Sequence, residues 1–298
     1  MRLMKRNKPF SVLLLLSMLF VICAAPVHAD TGPKSSVRVE IEGLEDEIYY
    51  VTLLSQTEST GPATAYDGTN PDYQEGDRDY DIWKTFLDYE DSDGFYFLQQ
   101  FRYLEGDNTY VWGYYPPRTF KILFYFPEYD RFVTTNVHER YAFDSYFRVD
   151  FSHVNLQASV GEGAFILAEK SYDYGWETVS LVARILITIA LELGLALLFR
   201  YRGKKMLGFL AGVNITTQIA LNMILNIVNF HYGALSFILY YIFVESIIFL
   251  LEAVVYAIIL PRISPSEKRG KAILYAWVAN TVSFVLGMGI AFLIPGIF

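Results

Sequence analysis

The sequence predicts a multi-domain membrane protein: an extracellular all-β sandwich of immunoglobulin-like or transthyretin-like type, followed by an all-α four-helix transmembrane bundle. Three observations carry this expectation. Residues 30–177 hold 28 acidic and 11 basic side chains, whereas residues 178–298 hold 4 acidic and 9 basic ones. The first block alternates apolar and polar positions with period two. The second contains four apolar runs of about 20 or more residues, each long enough to cross a hydrocarbon core. The formal net charge of -8 therefore averages two unlike blocks. It excludes a single soluble globule, a disordered polyelectrolyte and a nucleic-acid binder that works through a basic face.

Residues 1–29 read as a signal peptide. Arg2, Lys5, Arg6 and Lys8 precede the apolar run 11–25, and small residues lead to Ala29, after which cleavage is expected. An uncleaved first helix is the alternative. Cys23 is the only cysteine, so the cleaved chain has no disulfide or thiolate chemistry. Export without disulfides points to a bacterial cell envelope.

Residues 30–177 are expected to form the extracellular β domain. Residues 37–42 alternate strictly, Gly43 begins a turn, and residues 48–54 return, which predicts a hairpin. Further strands are expected at 94–103, 110–115, 120–126, 131–135 and 142–151, with a helix at 81–88. Carboxylate-dense loops at 67–81 and 88–94 offer oxygen ligands to Ca²⁺, with Asp77, Asp79 and Asp81 the candidates. Ile82 stands where a helix-loop-helix calcium site needs glycine, and charge runs of this kind are usually only hydrated. Tyr110, Trp112, Tyr114 and Tyr115 are candidate ligand-binding aromatics, since such rings stack on sugars and partner proteins. The competing expectation is that they line the sandwich core. His138 beside Glu139 is too sparse a pair to nominate for catalysis, and the sequence calls for no cofactor.

Residues 178–298 are expected to cross the membrane at 179–199, 206–230, 234–260 and 272–294. Arg200, Arg202, Lys204 and Lys205 join the first two runs, and Arg262, Lys268, Arg269 and Lys271 join the last two. The positive-inside rule puts both joins in the cytoplasm and the N-terminal domain outside.

Polar residues recur on one face of each run. Glu192, Asn214, Gln218, Glu245, Glu252 and Asn280 form a candidate intramembrane cluster. Asn222, Tyr241 and Tyr256 share those faces, and Ala276, Asn280, Ser283, Gly287 and Ala291 form a small-residue stripe. Such amides and protonated carboxyls either glue helices together or serve a cation or proton path. Arg184 is expected to snorkel outward; the alternative is a pairing with Glu245, about two turns away in depth. There is no P-loop, His-Glu-x-x-His or Gly-x-Ser-x-Gly motif.

The strand Ile48-Tyr49-Tyr50-Val51-Thr52-Leu53-Leu54, the Phe120-Lys121-Ile122 strand, Glu192, Asn214-x-x-Thr217-Gln218, Glu252-Ala253 and Ala279-Asn280-x-x-Ser283-Phe284 together resemble an uncharacterised Gram-positive, clostridial-type membrane protein family. The resemblance spans most of the mature chain and implies the architecture above, with no assigned activity. The expected function is a non-enzymatic multi-pass envelope protein of the bacterial plasma membrane, whose exported β domain binds or senses an extracellular ligand or a membrane-protein partner. The alternatives are a transporter or channel component and a membrane-anchored extracellular hydrolase.

Overall fold

The computed structural model describes residues 32–156 and 164–293. The expected signal peptide and its cleavage point lie outside the described residues. Contacts divide the chain into Met1–Pro33 and Lys34–Phe298, and the second unit holds every element below.

Two sheets build the β region. The first runs in the order β13 (Ala168–Lys170), β11 (Asp144–Asp150), β1 (Ser36–Glu42), β7 (Thr109–Trp112). The second runs β12 (Ala164–Ile166), β9 (Arg131–Thr135), β8 (Thr119–Phe126), β2 (Ile48–Ser55), β5 (Tyr96–Phe97). On it, β6 (Arg102–Glu105) also pairs with β2, and β10 (His138–Glu139) with β8. A small pair, β3 (Ser59–Thr60) and β4 (Ala63–Thr64), stands apart.

Alternation decides which side chains enter the core. Val37, Val39 and Ile41 of β1 meet Tyr49, Val51 and Leu53 of β2, and Phe120, Ile122, Phe124 and Phe126 of β8, in one cluster between the sheets. The Phe120 and Phe147 rings close it edge to face, 5.4 Å apart. The other faces of β2 and β8 are also covered. Leu54, Leu123 and Tyr125 pack beneath α1 (Tyr80–Leu87), whose buried residues are Trp83 and Phe86. This second layer explains why β2 and β8 read as near-continuous apolar runs.

Three expectations are corrected here. The strands β1 and β2 do not pair as a hairpin: β1 lies between β11 and β7, and β2 lies between β8 and the β5/β6 edge. The chain crosses from one sheet to the other at Gly43, where φ is 82° and an added Cβ would lie 2.5 Å from the Ser152 nitrogen. Nor is the sandwich wholly antiparallel as an immunoglobulin-like or transthyretin-like layout suggests. The β1/β11 and β9/β12 pairs are parallel, with Val39 opposite Phe147 and Thr134 opposite Phe165. The expected strand 94–103 is also broken, because Gln99 takes φ 58° and turns its amide inward onto the carbonyls of Thr64 and Asn70.

Three helices are long and apolar enough to cross a membrane: α2 (Tyr174–Leu198), α3 (Lys204–Ile263) and α4 (Arg269–Leu293, apolar over Arg269–Gly289). The sequence predicts four separate helices. The second and third are instead the two limbs of α3, because the connection His231-Tyr232-Gly233 is too short to form a loop. Only Gly233 leaves helical geometry, at φ 77° and ψ 179°. The limbs fold back on one another, since Tyr256 OH donates to Asn214 Oδ1 at 2.9 Å and Thr217 Oγ1 donates to Glu252 Oε1 at 2.8 Å. Both pairs are centred within about two residues of Gly233, the geometry of an antiparallel hairpin.

Local chemistry sets the ends of α2. Asp173 Oδ1 accepts the Trp176 N–H at 2.8 Å, capping the N-terminus. At the other end Arg200 takes φ 62° and the Tyr201 N–H returns to the Ala196 carbonyl. That turn buries Tyr201 against Phe199 and Tyr275.

Candidate functional site

All six polar residues expected in the bundle are buried: Glu192, Asn214, Gln218, Glu245, Glu252 and Asn280. They come from α2, both limbs of α3 and α4, and most are held by named partners. Glu252 is the centre of one group. Its Oε1 accepts from Thr217 and its Oε2 accepts from Asn280 Nδ2 at 2.9 Å, so one carboxyl ties both limbs of α3 to α4. Glu192 anchors a second group, where Ser283 Oγ donates to its Oε1 at 3.2 Å and Tyr275 OH donates to its backbone carbonyl at 3.1 Å. Asn222 Nδ2 donates to the Gln218 carbonyl at 2.8 Å, one turn back on the same limb.

Beside these groups lies a cavity of ≈ 30 Å³. Arg184, Gln218, Asn222, Tyr241, Glu245 and Ser283 supply its polar lining, and Gly287 adds a close approach. A Cβ at Gly287 would stand 2.6 Å from the Tyr241 hydroxyl, so the missing side chain leaves space for that phenol. Arg184 departs from the expected snorkelling. It is only 8% exposed and shares the cavity wall with Glu245, because both side chains turn into the bundle. Thr217 and Tyr275 complete the hydrogen bonding and were not singled out as cluster members from the sequence. Thr217 lies three residues from Asn214, a helical neighbour spacing that marks it in retrospect.

The β-region candidates are placed differently. Tyr110 and Trp112 belong to the core between the sheets, at 3% and 4% exposure, because i and i+2 on a strand share one face. Tyr114 and Tyr115 lie beyond β7, are exposed, and pack edge to face at 4.9 Å. The four aromatics therefore do not form one face. Among the described residues no group of three or more His, Cys, Asp or Glu side chains is gathered to hold a metal ion. Asp77 accepts the Gln74 N–H, Asp79 precedes α1, and Asp81 sits in its first turn. In the second acidic loop, Asp91 and Asp93 bind Lys121 at 2.8 and 2.6 Å. Burial pulls the Lys121 ammonium down, but these hydrogen bonds outweigh it and leave its pKa raised.

His138 is core. Its ring packs on Phe147 at 4.8 Å, and burial, aided by the charge of Lys170, lowers its pKa to about 4. Glu139 next to it is exposed, so the two make no acid-base pair. Comparison with protein-family models, curated proteins and solved structures finds no match.

Proposed function

We propose that this chain is a multi-pass membrane protein of a bacterial cell envelope, without enzymatic activity. In this reading the β domain binds or senses a partner outside the cell, and four crossings (α2, the two limbs of α3, and α4) anchor it and receive its movements. The observation that carries the reading is the joint between the β region and the tip of the α3 hairpin. The Phe143 N–H donates to the Phe230 carbonyl at 2.8 Å. The Phe143 ring fills the space beside Gly233, where a Cβ would lie 2.5 Å from it. Tyr141 and Tyr172 add ring contacts to Phe230 at 6.4 and 5.8 Å. A domain tethered only by its linker would need no such seat.

Orientation follows from charge and aromatic placement. Tyr174, Trp176 and Tyr232 are exposed at the β-domain end of the helices, where an interfacial aromatic belt would lie. The basic connections lie at the other end, as the positive-inside rule requires of cytoplasmic loops. Exposed Leu198, Ile227, Leu239 and Val254 face outward from the bundle, which suits lipid.

Hydrogen exchange of the full chain in lipid nanodiscs tests the coupling. The substitution Phe143→Ala should speed exchange at residues 228–236 by tenfold or more while β2 and β8 stay protected. Unchanged exchange at the hairpin tip would contradict the relay. A second reading, a transporter or channel component, is favoured by the buried carboxyls Glu192, Glu245 and Glu252. Under it, single Glu→Gln variants that still fold should lose a proton or cation flux measured in liposomes.

A further inference from the structure

We propose that the cavity between α2, the two limbs of α3 and α4 is a proton-binding site, in which Glu245 and one water molecule hold an exchangeable proton. This goes beyond the anchoring role and depends only on the packing of the bundle, not on which side of a membrane each end faces.

The first observation is a difference among the three buried carboxyls. Both oxygens of Glu252 are engaged by Thr217 and Asn280, while Glu192 is engaged by Ser283 through Oε1 alone, its Oε2 lying outside the cavity lining and without a partner among the described residues. Glu245 is only 7% exposed, lines the cavity, and has no hydrogen-bond partner among the described residues. A carboxyl group placed so deep without a partner is costly in either protonation state, so it marks a position where a small polar occupant belongs.

The second observation is the size and lining of the space. The cavity offers ≈ 30 Å³ to a water-sized occupant, more than the roughly 10–15 Å³ that one buried water requires. With Glu245 itself, Gln218, Asn222 and Ser283 supply polar groups in the range of two to four that one buried water needs.

Charge then selects the occupant. The titratable or charged groups around Glu245 are Arg184 and Glu192 from α2, with Tyr241 and Glu252 from its own limb. Among the described residues lining the cavity, the first limb of α3 and α4 contribute only neutral polar groups, namely Gln218, Asn222 and Ser283. The guanidinium of Arg184 in the same wall opposes a metal cation at this point. Both protonation states are thus accommodated. When charged, Glu245 accepts from the water; when neutral, its O–H donates to the same water. Uptake transfers a proton from hydronium at the water position to a Glu245 oxygen and leaves water behind, and release is the reverse.

Infrared difference spectroscopy of the full chain in nanodiscs, titrated with acid and base, tests this directly. The wild type should show a protonated-carboxyl band that titrates and shifts in D₂O. Glu245→Gln should abolish it, Glu245→Asp should move it, and Glu192→Gln and Glu252→Gln should retain it. A titrating band that survives Glu245→Gln would overturn the proposal. So would a band that responds to Na⁺ or K⁺ at constant pH, since the cavity would then be a cation site. If the Gln variant does not fold, an unmoved band in Glu245→Asp also overturns it.

Discussion

Asn280 donates from Nδ2 to Glu252 Oε2 at 2.9 Å, while the other oxygen of the same carboxyl is held by Thr217. One acidic side chain thereby fastens α4 to both limbs of the α3 hairpin. Removing the amide leaves a buried oxygen without its donor, and helix-helix hydrogen bonds in apolar surroundings contribute about 0.5–2 kcal/mol. Asn280→Ala should therefore lower bundle stability by about 1 kcal/mol. A double-mutant cycle with Glu252→Ala, read by reversible unfolding in mixed micelles, should show coupling of similar size. Additive effects would mean that the contact contributes nothing.

Gly233 combines two constraints that separate experimentally. Its φ of 77° with ψ of 179° lies in a region essentially reserved for glycine, and the Phe143 ring occupies the place of its missing side chain. Gly233→Ala should cost about 3 kcal/mol through backbone strain plus the clash. Adding Phe143→Ala should recover the clash and leave the strain. Thermal denaturation of the two single variants and the double variant distinguishes this from simple additivity.

Lys121 and Asp91 form a buried ion pair at 2.8 Å, with side-chain exposures of 4% and 1%. Lys121→Met strands the Asp91 charge and should destabilise the protein by about 3–5 kcal/mol. Lys121→Met with Asp91→Leu should regain at least half of that loss, because an apolar replacement of the whole pair leaves no buried charge. Chemical denaturation monitored by the fluorescence of Trp83 and Trp112 reads both.

The depressed pKa of His138 makes a prediction about acid. Its folded value is about 4, against about 6.5 for an unfolded histidine. Above about pH 6.5 the ring is neutral in both states and adds no pH dependence. Between about pH 6.5 and 4 the unfolded chain binds the extra proton, so stability falls as pH falls, by roughly 2 kcal/mol after allowing for partial solvent access. His138→Gln should flatten the stability slope between pH 7 and 5. An unchanged slope would show that another group carries it.

The sequence makes one layer of this structure plain and hides another. Period-two spacing marks Val37, Val39 and Ile41 as an inward face, and the four apolar runs mark the helices, because both depend only on local periodicity. Strand partners are non-local. Gly43 suits a hairpin turn and a crossing between sheets equally well, so the 37–42 and 48–54 strands look paired when they lie in different sheets. Tyr110 and Trp112 look like a binding face for a related reason: their spacing says that they share a face without saying that the face is buried. In the bundle, helical spacing puts Glu192, Asn214, Gln218, Glu245, Glu252 and Asn280 on faces that the structure buries. Treating the helices as straight rods of equal depth separates Arg184 from Glu245, although the two share a cavity wall. The reversal between the two limbs at Gly233 turns on a single residue's backbone angles, which no periodicity reports.

In the proposed topology the α3 hairpin crosses the membrane twice, with its tip on the β-domain side. Cysteine accessibility measures this most directly. In a Cys23→Ser background, which removes the only native cysteine, single cysteines replace Ser152 in the β domain, Tyr232 at the hairpin tip and Ser266 between α3 and α4. A membrane-impermeant maleimide added to intact cells should label Ser152→Cys and Tyr232→Cys, and should reach Ser266→Cys only after the membrane is opened. Labelling of Tyr232→Cys and Ser266→Cys from the same side would contradict the hairpin.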